Sequence, residues 1–432
     1  MKIMQLVWLS LLIEILILAI IKPIFVSFEF LSIVSVSIHI LLFTLIILSY
    51  KSKYNWIFLL AFLVRISFMI WDIYGRNIFI LPNSEGDAIG FKDSAVAISE
   101  NILLISTDVY GGLYAKVMGA LFYIVGPQLI LGHYINVLLS ISVIYIIYLI
   151  LKMLEINTWV ISVILLIAAF FPNSIIMSAI FLREMIISFF VILSLYHYIK
   201  WIKFGKTFNV FLCILFLSMA SMFHSGVVGI FLGYAFGFIF YKRSKEKFRF
   251  SIKSVFVFLL ICVVSIVIFT QLQDTLFKKF SEVEDLSDIY ATANSRLGGS
   301  AYLIGITIES PRDFIIYGPI KAFYFLTAPL PTNWRGLVDI FTFFSDSILY
   351  LITIIYFLLN RKYFKDKKTL IIALTVVLIC VSLIFGIGVG NAGTAVRHRS
   401  KIVSIFLVLL GIMMDAKRKN LVKKNSKKLL KK

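Results

Sequence analysis

Charge is scarce in this chain of 432 residues: 15% of positions are Asp, Glu, Lys or Arg, while 61% are hydrophobic. With a mean hydropathy of +0.99, that scarcity excludes an ordinary soluble domain, and the runs of about 20 apolar residues read as transmembrane helices. Segments of alternating polarity about 10 residues long are missing, which excludes an outer-membrane barrel. Cysteine is nearly absent. Cys213, Cys262 and Cys380 lie far apart inside apolar runs, so neither a disulfide framework nor a thiolate metal site follows. No GxxxxGKS or GxxxxGKT, no HExxH and no GxSxG occurs, which removes phosphate-loop nucleotide hydrolysis and gives no support to zinc-helix or nucleophile-elbow chemistry. Acidic residues are few, 22 against 42 Lys and Arg, for a net charge of +20. In a membrane chain such an excess belongs to lysine-rich cytoplasmic connectors rather than to nucleic-acid binding.

What is present is a series of apolar runs, at about 3–21, 30–50, 56–74, 128–151, 158–172, 185–200, 208–223, 226–241, 254–271, 346–359, 369–388 and 401–415. These predict an all-α polytopic protein of about twelve transmembrane helices, forming one helical domain over 1–415 and a basic tail over 416–432. Glu14 and the following Lys22-Pro23 mark the first run as a retained span rather than a cleaved signal. With the N-terminus inside, Lys2, the connectors 51–55, 152–157, 200–206, 242–253 and 360–368, and the tail after Asp415 hold 27 of the 42 Lys and Arg. Only four acidic residues, Glu155, Glu246, Asp366 and Asp415, accompany them. That bias sets both termini in the cytoplasm. The tail is expected to be flexible and to lie against anionic headgroups.

Two outer regions, about 75–127 and 272–345, are too long to be plain connectors. Within the first, 110–127 carries Gly111, Gly112, Gly119, Gly126 and Lys116, which suits a helix lying in the outer interface, with an ordinary span as the alternative. The second is rich in proline and aromatics, SPRDFIIYGPIKAFYFLTAPLPTNWRG, and is expected to lie on the membrane or cover a cavity.

In this topology the unusual polar residues fall on the outer side. Asp87, with Asp93 after it, starts an apparent helix, so it reads as a cap or as a functional carboxylate. Arg183-Glu184 opens a span at its outer mouth, where ionisable groups tend to pair or face a cavity. His224 lies between two spans and is a candidate acid or base. Arg397, His398, Arg399 and Lys401, preceded by Gly386, Gly388, Gly390 and Gly393, gather cations that suit phosphate or diphosphate. Arg296, Arg312, Lys321 and Arg335 add further cations in the long loop, and Pro331, Asn333 and Trp334 beside Arg335 suit sugar stacking. The acidic run Glu282, Glu284, Asp285 and Asp288 reads as a solvated face. Glu14 and Arg65, both mid-span, are expected to pair inside the bundle. His39, His133 and His197 read as structural.

Asp87 in an early outer loop, then LFYIVGPQLILGHYINVLLS, FPNSIIMSAIFLRE and the RHR entering the last span together resemble the polytopic GT-C-type glycosyltransferases and the Wzy-type O-antigen or capsule polymerases. The resemblance is spread over about residues 80–410. It implies transfer of glycan from an undecaprenyl-linked carrier at the outer leaflet of a bacterial inner membrane. Arg397 and Arg399 would hold the carrier's phosphates, and Asp87 or Glu184 would take the acceptor proton. The implied partners are undecaprenyl-linked oligosaccharide, membrane lipid, a chain-length regulator and a flippase, with no nucleic acid, no metal and no cofactor. Asp87 follows the third span rather than the first, and no metal-binding acidic pair is evident, which favours a repeat-unit polymerase over a single-sugar transferase using a polyprenyl-phosphate donor. The spaced Arg–Gly loop motifs of some polymerases are not matched. A flippase or exporter is the remaining alternative; the two halves of the chain do not match in hydropathy as one would require.

Overall fold

The computed structural model describes residues 2–22, 28–260, 294 and 298–429. Among these the regular secondary structure is helical apart from one small hairpin and an isolated bridge, and seven helices are long and apolar enough to cross a membrane, or eight if one bent pair forms a single span. The protein is therefore an all-α membrane protein. Helices α1 (Lys2–Ile21), α2 (Phe28–Ser49), α3 (Asn55–Tyr74), α6 (Leu129–Met153) and α9 (Glu184–Phe204) occupy expected spans. Between them lie α4 (Asp87–Glu100), α5 (Gly112–Val125), α7 (Thr158–Phe170) and α8 (Pro172–Ala179).

Helices α10 (Phe208–Phe223) and α11 (Val228–Phe240) fall on expected spans and are shorter than the seven crossing helices. A hairpin of β1 (Tyr241–Lys242) and β2 (Lys247–Phe248) follows. The expected span at 254–271 is helical to residue 260 and continues outside the described residues, as do Arg296 and the acidic run at 282–288.

The proline-rich segment contains a helix, α12 (Pro311–Thr327), rather than loop throughout. Pro311 sits where its missing N–H costs nothing, and Ser310 and Asp313 form a reciprocal capping box. Helix α13 (Leu337–Tyr363) begins well before the expected 346. Helices α14 (Lys368–Gly388), α15 (Ala392–Arg399) and α16 (Val403–Leu429) complete the chain. The basic tail, expected to be flexible, is the last part of α16 as far as Leu429, where the described residues end. Lys419 pairs with Asp415 at 2.8 Å, Lys423 with Asp366 at 2.8 Å, and Asn420 donates to the Tyr363 carbonyl at 2.7 Å.

The chain forms two compact units, one of residues Met1–Leu149 with Leu165–Phe189, the other of Ile150–Ile164 with Phe190–Lys432. In the first, α7 and α8 meet at a 48° bend. Pro172 has no N–H for the Ala168 carbonyl four residues back. Buried Arg65 supplies the donors instead, reaching Ala168 O at 3.1 Å and Ala169 O at 2.7 Å, with Ser140 Oγ at 2.8 Å and Ala61 O at 3.0 Å. Arg65 thus satisfies a broken helix end, and Glu14 is not among its partners.

In the second unit, Gly229, Gly233 and Gly237 recur every fourth residue along one face of α11. A Cβ on Gly229 would lie 2.7 Å from the Val381 Cα of α14, so the two backbones touch, as small residues allow between membrane helices. The connectors that charge sorting assigned to the inner side converge here. Lys203 pairs with Glu155 at 2.9 Å, Lys367 reaches Leu154 O at 3.4 Å, Thr369 reaches Glu246 O at 2.7 Å, and Asp415 accepts from Asn157 N at 2.9 Å. All gather around the first turn of α14. A helix of 21 residues carries its other end about 30 Å away.

Candidate functional site

At that far end of α14 stands Phe385, and against it His224 and His398. The His398 ring stacks on Phe385 with centroids 5.2 Å apart, His224 lies 5.5 Å from Phe385, and the two imidazoles are 4.7 Å from one another. His224 follows the last turn of α10, and its Nδ1 accepts the Gly226 N–H at 3.1 Å. In the neutral ring, that leaves the proton on Nε2. His398 Nδ1 accepts from the Lys401 ammonium at 2.6 Å. Lys401 is wholly buried, with its Nζ 5.8 Å from the Phe385 ring centre. Both histidines and Arg397 are half-buried.

Helix α15 aims these groups. Asn391 caps it, accepting from Thr394 N at 2.8 Å. Residues 300–302 brace its start, through Ser300 O to Ala392 N at 2.9 Å and Gly390 O to Tyr302 N at 3.0 Å. Tyr302 donates to Val389 O at 3.0 Å, and burial pushes its phenol well above the usual range. Successive helix residues diverge by about 100°, so Arg397, His398 and Arg399 in the last turn point three ways. The positive charge of the two arginines at the carboxyl end of a helix is also favoured by its dipole.

Arg399 points into the core. It is fully buried, with Nε 2.6 Å from Oδ2 of Asp346, itself fully buried on α13, and Nη1 donating to Phe325 O at 3.0 Å and Ala328 O at 2.8 Å. Its guanidinium also lies 5.6 Å from the centre of the Tyr350 ring. Arg399 locks α15 to α12 and α13, whereas His398 and Lys401 join His224. Lys321, also buried, reaches Ile387 O at 3.4 Å. Arg335 is exposed and forms a two-pronged pair with Asp339 at 2.8 Å on both prongs; Trp334 donates to Pro329 O at 3.2 Å. Arg312 is exposed in the first turn of α12.

The other candidates belong to the first unit. Asp87 stands in the first turn of α4 behind Gly86, which occupies the cap, and it accepts a hydrogen bond from Tyr110. Gly111, at φ 89° in the left-handed region that glycine favours, starts α5 close under Phe91. The Arg183 guanidinium lies 5.4 Å from the centre of the same Phe91 ring. Glu184 is wholly buried and within electrostatic range of the Tyr114 phenol. Asn136 of α6 organises this corner. Its Nδ2 donates to Tyr114 Oη at 3.1 Å, Ile180 O at 2.9 Å and Leu182 O at 3.0 Å, fixing the extended turn before Arg183.

Asp346 and Asn136 escaped the reading of the sequence. Each lies inside an apolar run, and a polar residue in such a run was the available signal. Comparison with known protein families, with curated proteins and with solved structures found no match to this chain.

Proposed function

We propose that this chain is a glycosyl-transferring enzyme of bacterial surface-polysaccharide assembly. It would polymerise undecaprenyl-diphosphate-linked repeat units at the outer leaflet of the inner membrane, with both termini cytoplasmic. The observation that carries the reading is the group formed by His224, His398 and buried Lys401, with Arg397 on the same helical turn as His398. These lie at the end of α14 remote from the lysine-rich connectors. Bland membrane proteins seldom gather cations and imidazoles away from the positive side.

The step is substitution at the anomeric carbon. The acceptor hydroxyl oxygen bonds to that carbon as the bond to the diphosphate oxygen breaks, and the lipid diphosphate leaves with the electron pair. Negative charge grows on the leaving group, so cations fixed in a poorly solvated setting stabilise the transition state more than the ground state. Arg397 and Lys401 serve that role, with His398 fixed by its bond from Lys401. His224 takes the acceptor proton at Nδ1, which gives up its bond from the Gly226 N–H as it does so. Asp87 and Glu184 are the carboxylate candidates of the first unit, to be tested by the same assay. Arg399 is assigned to holding α15 in place.

The test is the surface-glycan ladder of a strain lacking this chain, run beside its parent. Loss of the ladder with a core capped by one repeat is expected. A full-length ladder whose units each lack one sugar would replace polymerase by single-sugar transferase, and an unchanged ladder would overturn the reading.

A further inference from the structure

The first unit contains a cleft of about 90 Å³ at the carboxyl end of α3, walled by Asp72, Arg76, Ser84, Lys92, His133 and Phe181 among others. None of its polar residues was singled out in the sequence as a site. His133 was read as structural, and its contacts explain why it is not a base. Its Nδ1 donates to the Leu129 carbonyl at 2.8 Å, and its Nε2 faces Oδ2 of buried Asp72 at 3.4 Å. A carbonyl oxygen only accepts, so the proton on Nδ1 is fixed. Nε2 is turned to the carboxylate, so both ring nitrogens are committed.

The other Asp72 oxygen accepts from Ser84. Ser84 in turn holds Arg76, whose Nη1 donates to Ser84 Oγ at 2.9 Å and Nη2 to Ser84 O at 3.2 Å; Arg76 Nη1 is 4.0 Å from the Asp72 carboxylate. The guanidinium is thus oriented by two of its five donors, and its side chain stays 33% exposed at the cleft. Lys92 is the second cation, 37% exposed; its neighbour Asp93 at 4.0 Å is 65% exposed and screened by water. With Asp72 buried and engaged by Ser84 and His133, the cleft presents an oriented guanidinium and an ammonium over apolar walls of Ile73, Ile89, Leu129 and Phe181. The first turn of α4, through Ala88 and Ile89, forms part of that wall. All this sits at the end of a helix long enough to span a membrane.

We propose that this cleft is a binding site for a phosphate ester, with Arg76 and Lys92 as its ligands and the apolar walls accepting the group that the phosphate carries. The guanidinium fork matches two phosphate oxygens. The site is separate from the residues assigned to glycosyl transfer and does not depend on that assignment.

The test uses the full chain in detergent, carrying Arg397→Ala so that the cluster of the second unit does not report. Two probes are titrated calorimetrically: inorganic phosphate and dioctanoyl phosphatidic acid. Binding is expected to weaken roughly 10-fold to 100-fold in Arg76→Gln, the range for a charge-assisted bond. Lys92→Gln, which leaves the Ser84 network intact, is expected to weaken it as well. Tighter binding of the lipid than of free phosphate would identify a membrane phosphate as the ligand, and equal binding a soluble one. Either outcome supports the site if both variants weaken it. No binding of either probe, or equal affinity in folded Arg76→Gln and Lys92→Gln proteins, would overturn the proposal.

Discussion

Replacing Arg399 by Met tests whether the two arginines on one short helix have different roles. Both Arg399 and Asp346 are fully buried and 2.6 Å apart. Removing the arginine strands a carboxylate in the protein interior, which costs roughly 3–5 kcal/mol. It also frees the Phe325 carbonyl, a loss of about 1 kcal/mol. The Ala328 carbonyl keeps its bond from Ser347 at 2.8 Å and adds little. The single variant should therefore lose about 4–6 kcal/mol, a large share of what usually holds a domain together. Replacing the pair together, Arg399→Met with Asp346→Leu, removes both charges, and such swaps are often neutral or stabilising. The double variant should recover most of the loss. Reversible unfolding in mixed micelles measures both. An Arg399→Met protein within about 1 kcal/mol of the parent, well below the expected cost, would refute the reasoning. A double variant as damaged as the single one would show that the carbonyls, not the stranded carboxylate, dominate.

Asn136→Ala should cost roughly 1–3 kcal/mol, because the carbonyls of Ile180 and Leu182 lose a shared donor; faster hydrogen exchange at Arg183 and Glu184 would check it, and unchanged exchange would contradict it. The carboxyl of Asp313 is held below the usual range, chiefly by the Ser310 hydroxyl and also by backbone N–H groups. A depressed carboxyl contributes stability above its unfolded pKa and loses it as pH falls through the folded value. The amino end of α12 should thus stay capped at neutral pH and fray only in acid below the ordinary carboxylate range. Ser310→Ala should move that fraying to higher pH, as read by exchange at residues 313–316.

The membrane-crossing helices were legible because runs of about 20 apolar residues have few other stable uses. The bend at Pro172 was not, since α7 and α8 lie in nearly continuous apolar sequence and only the chemistry of proline separates them. Helix α12 was hidden by its prolines, although Ser310, Pro311 and Asp313 spell a helix start. Among the candidate residues, the assignment of His224 and His398 to one membrane side was legible from charge sorting as an expectation, without the 4.7 Å contact of their rings. The burial of Arg399 was not. Its partner Asp346 lies more than fifty residues away inside another apolar run, and sequence adjacency put Arg397 and Arg399 in one class. The pairing of Asp72 with His133 was illegible for the same reason, as sequence spacing predicts neighbours along one helix but not partners on two.

The most direct measurement of the proposed activity is release of undecaprenyl diphosphate from a purified, lipid-linked repeat unit by the purified chain. Release by the parent protein, with Arg397→Ala and His224→Ala inactive yet unfolding at the parent's midpoint, is the expected result. Undiminished release by a folded Arg397→Ala protein, or none by the parent, would contradict the assignment.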